Sequence, residues 1–379
     1  MKHLQRWIGL SLLTLLLVMG ANTQTSAQSV PTIVQTLPAF HRPESSSFSL
    51  DGRYLYVGNC ASGLYGDAQN FGLARGEGAI SQLSVGANGQ LTMVNPRFVS
   101  GLTAPLGMSV LPKATRKFPQ GTLFVNVGYY QQTDSAGNYE TDPARLGTGV
   151  VIIDSQTGKI LGRLVGSIGS TIAQAIGHPL MVPNGLAFDR DGNLYIAETG
   201  ASGDFLKPSI ASQPGIVRIN RRALDALASG RPAAGITFLE VPGGPNGVMY
   251  DAATDAVYFV TAGEADPENG AIYKIPRQDF PSASLPPPIA RNLTALDGLV
   301  MTANGTLIAS RNKGDLVAVK PDGDISPLPL SPATTFVFPS DIKLQTLEDG
   351  SALLIVPEQA FKDPKPWKQR LRAIRIPAQ

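Results

Sequence analysis

Short apolar runs alternate with turns rich in glycine, asparagine and aspartate along most of the chain. No long amphipathic helical pattern interrupts this alternation. Many short strands between turn signals are typical of a sandwich, a barrel or a propeller, so the pattern predicts an all-β fold. The clearest predicted strands cover residues 121–127, 150–153, 194–197, 215–219, 256–260, 307–310 and 352–356.

An internal repeat decides among these all-β folds. The segment that begins Pro183-Asn184-Gly185 recurs as Pro245-Asn246-Gly247, each time followed by an apolar strand, a turn and a second strand. We call the first three residues of each copy the anchor. Six anchors begin at residues 43, 105, 183, 245, 296 and 339, and their spacings of 43 to 78 residues suit four-stranded units with variable loops. The repeat therefore predicts a six-bladed β-propeller.

The last copy is too short for a complete blade. It leaves room for three strands, the final one over residues 371–376. Residues 32–38, upstream of the first anchor, are predicted to supply the missing outer strand. The ring would then be closed by this N-terminal strand, and closure removes the exposed edges of an open sheet.

The N-terminus has the layout of a secretory signal peptide. Lys2 and Arg6 precede an almost wholly apolar run over residues 7–21, and Thr25-Ser26-Ala27 offers small residues for cleavage. The run is too short to favour the alternative of a retained membrane anchor. We therefore predict a signal peptide over residues 1–27, export to a bacterial periplasm or the extracellular space, and a single domain over residues 28–379 with no stable membrane span.

The charge of the chain argues against a nucleic-acid partner, and its cysteine content excludes stabilisation by a disulfide within the chain. Without residues 1–27 the chain carries 29 basic and 29 acidic residues and shows no basic cluster, so we expect no nucleic-acid partner. Cys60 is the only cysteine, so no disulfide can form within the chain. The fold must depend on burial, and we expect a monomer that acts on a small molecule.

The second anchor position gives the main chemical signal. Innermost propeller strands converge on a central channel, so these six residues should form a ring at one mouth. Four of them offer hard oxygen ligands of the kind that Ca²⁺ prefers, with Mg²⁺, Mn²⁺ or Zn²⁺ as alternatives. Asn-Gly and Asp-Gly are also turn dipeptides, but the common frame of four repeats favours a cation site. The six residues are Glu44, Leu106, Asn184, Asn246, Asp297 and Ser340.

The second strand of each blade should return to the same mouth, beneath long loops over residues 61–77, 129–147, 200–213 and 262–270. At these strand ends, Glu198 could act as a catalytic base or lie as a solvated carboxylate. Arg311 could bind a substrate carboxylate or phosphoryl group, or pair with a nearby acid. Asn59, together with Ser340 from the anchors, is a further predicted substrate contact.

The ring resembles that of the SMP-30/gluconolactonase/luciferin-regenerating-enzyme group and its relatives, the squid-type phosphotriesterases and paraoxonases. The resemblance implies a six-bladed propeller with one axial cation, held by Glu44 in the first blade, Asn184 and Asn246 in the third and fourth, and Asp297 in the fifth. Two features depart from these families. Ser45-Ser46 follows Glu44 where Gly-Pro is usual. Paraoxonases carry a disulfide and catalytic histidines, whereas this chain has no second cysteine and, after residue 27, only His41 and His178.

The function implied by this resemblance is that of an exported, metal-dependent lactonase or esterase. The cation would polarise the carbonyl group, Asp297 would be ligand and general base or nucleophile, and Glu198 and Arg311 would position substrate. Two alternatives stay open. One is a phosphotriesterase-like hydrolase that uses the same site, and the other is a non-catalytic binding propeller with a structural cation.

Overall fold

The computed structural model describes residues 30–38, 40–60, 77–128, 148–200, 213–263, 270–280, 284–360 and 368–378. The predicted signal peptide and most of the four long mouth loops lie outside these ranges. The described residues form six antiparallel sheets arranged in a ring, which confirms the six-bladed β-propeller. None of the helices in these ranges has the length and apolar character needed to cross a membrane.

The first three blades follow one another along the chain, each with four strands from the channel outward. Blade 1 contains β2 (Pro43–Phe48), β3 (Tyr54–Asn59), β4 (Gly78–Val85) and β5 (Leu91–Leu102). Blade 2 contains β6 (Pro105–Val110), β7 (Leu123–Val127), β8 (Gly149–Ile153) and β9 (Ile160–Val165). Blade 3 contains β10 (Pro183–Phe188), β11 (Leu194–Glu198), β12 (Gly215–Ile219) and β13 (Ile236–Glu240). Two short helices, α1 (Thr171–Ile176) and α2 (Arg221–Leu227), lie in the connections before and within blade 3.

The last three blades vary more. Blade 4 shows three strands in its described part, β14 (Pro245–Asp251), β15 (Ala256–Thr261) and β16 (Ala271–Pro276). Blade 5 contains β17 (Leu296–Met301), β18 (Leu307–Arg311), β19 (Asp315–Val319) and β20 (Ile325–Pro327). Blade 6 takes β21 (Lys343–Thr346), β22 (Ala352–Glu358) and β23 (Arg370–Ile376) from the end of the chain, and β1 (Thr32–Leu37) from its start.

Strand β1 closes the ring as the sequence predicts. It pairs antiparallel with β23, with Thr32 opposite Arg375 and Leu37 opposite Leu371. Gln35 extends this closure to blade 1. Its side-chain Nε2 donates to the Leu91 carbonyl oxygen at 2.8 Å, and its Oε1 accepts from the Leu91 amide at 2.9 Å. One side chain therefore joins the last blade to the outermost strand of the first.

The core lies between blades, because the second strand of each blade buries both of its faces. On β11, Leu194 and Ile196 pack in a cluster with Phe124 of blade 2. The alternate residue Tyr195 packs in a second cluster with Phe259 of blade 4. Period-two alternation thus distributes side chains between two apolar layers, which explains the nearly continuous apolar runs in the sequence.

Close packing around the channel explains the glycine at the third anchor position. A Cβ atom placed on Gly107, Gly185, Gly247 or Gly298 would lie closer than 3.0 Å to the backbone of the next blade's anchor. All four glycines lie within innermost strands and none has a positive φ, whereas Gly192, beside the turn after β10, has φ of 81°. The turn interpretation of Asn184-Gly185 is therefore wrong, and the true turn lies at Gly192.

Candidate functional site

The six anchors occupy the same place in their blades. In each blade, the first anchor residue lies opposite the last residue of the second strand, and in blades 1 to 5 a shift in strand register follows it. Such bulges redirect side chains, so the second anchor residue is presented at the mouth in a repeated way. The opposed pairs are Pro43 and Asn59, Pro105 and Val127, Pro183 and Glu198, Pro245 and Thr261, Leu296 and Arg311, and Pro339 and Glu358.

Contacts between neighbouring anchors run right around the channel. Blades 2 to 6 touch through the glycine contacts described above. The Asp341 amide of blade 6 donates to the Glu44 carbonyl oxygen at 3.0 Å, and the Ser45 hydroxyl of blade 1 donates to the Leu106 carbonyl oxygen. The anchors therefore form one closed ring, and their second residues surround a common axis.

Three oxygens of this ring are buried without a hydrogen-bond donor among the described residues. They are Oε2 of Glu44, Oδ1 of Asn184 and Oδ1 of Asn246. A buried acceptor without a donor costs about 1–3 kcal/mol, so native structures seldom keep one without a reason such as a bound ion. Asp297 is also buried, and its Oδ2 accepts from Asn312 Nδ2 at 2.8 Å.

The charges of the ring interact across the channel. Burial raises the pKa of the Glu44 carboxyl well above its ordinary value, and the negative charges of Asp297 and then Asp341 raise it further. Lys343 opposes this effect, since its Nζ lies 2.9 and 2.7 Å from the two carboxylate oxygens of Asp341. Burial, followed by the charge of Glu44, also raises the pKa of the Cys60 thiol. Blades 1, 5 and 6 thus concentrate negative charge at one place.

The donor set has the chemistry of a hard-cation site. Two carboxylates can balance a divalent charge, and two amide oxygens add ligands without surplus charge. Across the ranges that the structure describes, no group of three or more His, Cys, Asp or Glu is arranged to hold a metal ion. A cation at this mouth would therefore depend on the amides of Asn184 and Asn246.

Glu198 and Asn59 accept hydrogen bonds from backbone amides that lie just before the anchors of their own blades. Oε1 of Glu198 accepts from the amides of Met181 and Val182 at 3.0 and 2.9 Å. Oδ1 of Asn59 accepts from the His41 amide at 3.0 Å. Glu358 repeats this arrangement in blade 6, where its Oε2 accepts from the Val337 amide at 2.6 Å. These contacts are structural. The catalytic role of Glu198 and the substrate-binding role of Asn59 stay predictions.

Arg311 and Ser340 also contact the protein framework. Nε of Arg311 lies 2.8 Å from Oδ1 of Asp315, and its Nη2 pairs with the other oxygen, so the ion pair considered from the sequence is present. Ser340 is fully buried, its Oγ donates to the Pro43 carbonyl oxygen at 3.3 Å, and its own carbonyl oxygen accepts from Ser310. Their substrate roles remain predictions.

Three polar residues beside the ring are not among the site residues predicted from the sequence, although Asn126 and Asn312 lie at the strand ends expected to face the mouth. Asn126 is fully buried, and its Nδ2 donates to the Asn184 carbonyl oxygen at 2.6 Å. Asn312 contacts Asp297 as described above, and Asp341 contributes to the charge around Glu44. Asp341 carried a usable signal, because it stands at the third anchor position, where four other copies have glycine.

Comparisons with known proteins agree with the fold. No protein-family model and no curated protein matches this chain. A gluconolactonase from Xanthomonas campestris matches with a TM-score of 0.52 and 12% identity over 91% of each chain. A putative glucose dehydrogenase from Thermus thermophilus gives 0.54 and 14%, covering 89% of this chain and 98% of its own. A luciferin-regenerating enzyme gives 0.51 and 11%, covering 92% and 94%. At these identities the likeness is one of fold: the chain has the six-bladed propeller architecture of gluconolactonases and the luciferin-regenerating enzyme.

Proposed function

We propose that this protein is a divalent-metal-dependent hydrolase that acts on a small lactone or ester. The observation that carries the proposal is the set of buried acceptor oxygens of Glu44, Asn184 and Asn246, which occupy one repeat position in three blades without a donor among the described residues. Asp297 occupies the same position in a fourth blade. Ca²⁺ suits this mixture of carboxylate and amide oxygens best, and Glu44, Asn184, Asn246 and Asp297 would hold it.

A cation in this ring supplies Lewis-acid polarisation of the substrate carbonyl group and stabilisation of the charge that develops on its oxygen. Asp297 accepts a proton from the attacking water at its buried carboxylate. The water oxygen bonds to the carbonyl carbon of the substrate, and the acyl C–O bond of the lactone breaks. The proton held by Asp297 then passes to the departing oxygen. The product is a hydroxy acid, which releases a proton near neutral pH.

The names of the structural neighbours favour this chemistry without deciding it. Gluconolactonases share the fold, but so do glucose dehydrogenases, and one fold can host unrelated reactions. Hydrolysis is favoured because a ring of hard oxygens suits a cation that polarises a carbonyl group. Glu198 would then hold the backbone of Met181 in place at the mouth, and Arg311 would be held there by its ion pair with Asp315.

Metal content and turnover test the proposal together. The purified protein is expected to retain a divalent cation and to release protons from one or more members of a panel of lactones, with phosphotriesters assayed in parallel. Chelation should abolish turnover, and Asp297→Asn should lower kcat/KM at least about 100-fold, the scale of a lost general base. Asp322→Asn, in the exposed turn after β19, is the matched control and should leave kcat/KM unchanged.

Three outcomes separate the hypotheses. Turnover of phosphotriesters alone would replace the lactonase proposal with the phosphotriesterase alternative. Bound metal without turnover on either panel would support a binding propeller. Turnover that survives chelation would contradict the metal dependence.

We also propose that the protein acts outside the cytoplasm as a monomer. The apolar run over residues 7–21 with its basic start supports export. Intact mass measurement of protein from the periplasmic fraction should show loss of residues 1–27, and light scattering should give the mass of one chain. A full-length chain that stays in the membrane fraction would contradict the export proposal.

A further inference from the structure

The residue that follows the second strand links neighbouring blades at the mouth in blades 1, 3 and 5. Cys60 Sγ lies 3.3 Å from the Pro105 carbonyl oxygen, Thr199 Oγ1 donates to that of Pro245 at 2.7 Å, and Asn312 Nδ2 donates to that of Pro339 at 3.0 Å. Each acceptor is the first anchor residue of the next blade. We call Cys60, Thr199 and Asn312 the clasp residues.

Asn312 differs from the other two clasp residues because it also holds an anchor side chain. Its Nδ2 lies 2.8 Å from Oδ2 of Asp297, in addition to the Pro339 contact. Its backbone amide donates to the Ala295 carbonyl oxygen at 2.8 Å, immediately before the Asp297 anchor. A single residue thus fixes the backbone before Asp297, the carboxylate of Asp297 and the neighbouring blade.

The chemistry of the amide group sets its orientation. A side-chain amide nitrogen has two hydrogens and no acceptor capacity, and the two acceptors around it are a carboxylate oxygen and a carbonyl oxygen. Reversing the amide would place its oxygen against both of them. The Asn312 side chain is therefore held in one orientation, and it directs a charge-assisted hydrogen bond at Asp297.

We propose that Asn312 is a positioning residue for the cation site: it holds Oδ2 of Asp297, so that Oδ1 serves as the ligand oxygen. This inference rests on the proposed function, since it assigns a partner to one ligand of the proposed cation. Residues that orient metal ligands commonly contribute 10–100-fold to metal affinity. The same bond keeps the carboxylate in place beside Glu44, whose charge opposes it.

Blade 1 offers a matched control within the same ring. The Cys60 clasp reaches Pro105, and the next residue, Leu106, provides no oxygen to the ring. Cys60→Ala removes a clasp contact to a backbone carbonyl and no hydrogen bond to a proposed ligand, whereas Asn312→Ala removes a clasp contact together with the hydrogen bond to Asp297. Asn312→Ser, which keeps a shorter donor at the position, is a second variant in case the alanine variant does not fold.

The experiment is a calorimetric titration of the metal-stripped proteins with Ca²⁺, with the thermal midpoint of each stripped protein measured in parallel. Asn312→Ala and Asn312→Ser are expected to bind Ca²⁺ about 10–100-fold more weakly than the wild type. Cys60→Ala is expected to change the affinity less than about threefold, because the contact that it loses reaches the Pro105 carbonyl oxygen and no proposed ligand. The stripped Asn312→Ala protein should melt at a lower temperature than stripped Cys60→Ala, because it also loses the hydrogen bond to Asp297, so the affinities are compared at a temperature where every stripped protein is folded.

The titration separates failure of this inference from failure of the proposed function. Wild-type affinity in both Asn312 variants would overturn the role of Asn312 and leave the cation site standing. An equal loss of affinity in Cys60→Ala would also overturn it, because the effect would then belong to the clasp in general. A wild-type protein that binds no divalent cation would overturn the proposed function before any variant is compared.

Discussion

Glu44 combines three features that destabilise a carboxylate: burial, the charge of Asp297 and the charge of Asp341. Because these raise its pKa in the folded protein, the stability that Glu44 contributes is fully present below its unfolded pKa of about 4.3 and is lost as pH rises through the folded value. The metal-free protein should therefore lose stability between acidic and neutral pH. A cation bound at the proposed site would offset this penalty, because its positive charge would stabilise the ionised carboxylate.

Substitution of Glu44 should change stability with opposite signs in the two metal states. In chelator at pH 7, we expect Glu44→Gln to raise the free energy of unfolding by about 1 kcal/mol, because it removes a repelled charge. In excess Ca²⁺, the same variant should be less stable than the wild type. Thermal melts with and without Ca²⁺ measure both effects.

Glu358→Gln is the control for this prediction. Glu358 is as deeply buried, but it pairs with Arg370 and Arg372, so its loss should destabilise the protein in both metal states. If Glu44→Gln destabilises the metal-free protein as Glu358→Gln does, Glu44 has a structural partner and the ligand assignment is wrong.

At the scale of the element, the innermost strands hold the site because they approach one another at the third anchor position. Gly185 of β10 lies against the backbone of Asn246, and Gly247 of β14 lies against that of Asp297. The distance between neighbouring ligands therefore depends on the absence of a side chain. A larger residue in place of Gly107, Gly185, Gly247 or Gly298 would push the anchor of the next blade outward.

We expect Gly185→Ala to destabilise the protein by about 3 kcal/mol, since its Cβ would clash with backbone atoms that cannot rotate away. Gly162→Ala in β9 is the control, because its Cβ would meet Ala228 at an ordinary 3.6 Å. Denaturant unfolding measures both free energies. Equal stability of the two variants would show that the inner strands are not packed as described.

At the scale of the whole molecule, the ring is closed by strand pairing and by Gln35. Strand β1 covers the edge of β23, and the Gln35 amide satisfies both backbone groups of Leu91 in blade 1. The first and last parts of the chain therefore meet in one blade, and the ring has no free edge at this joint. A substitution that weakens this joint should therefore lower the free energy of global unfolding.

Gln35→Ala should lower the free energy of unfolding by about 2 kcal/mol, because the amide and carbonyl groups of Leu91 lose their partner. Thr36→Ala changes an exposed residue of the same strand and should have little effect. Thermal melts compare them. If the two variants have the same thermal midpoint, the Gln35 contact does not contribute to closure of the ring.

The sequence allowed prediction of features that repeat along the chain. The six anchors, the strand ends opposite them and the closing strand could all be found because each blade restates the same pattern of polar and apolar positions. Individual side-chain contacts could not be found in this way, since they depend on strand register within a blade and on how neighbouring blades meet. The pairing of Arg311 with Asp315 follows from the β18–β19 register, and the reach of Asn312 to Asp297 and Pro339 depends on how blades 5 and 6 meet.

We propose that oxygens of four anchor residues hold one cation on the axis, and a crystal structure of the protein saturated with Ca²⁺ would show whether they do. We expect one cation at the mouth, with oxygens of Glu44, Asn184, Asn246 and Asp297 at about 2.3–2.6 Å from it. A Ca²⁺ ion bound elsewhere, or a ring whose oxygens bind only water at saturating Ca²⁺, would contradict the claim.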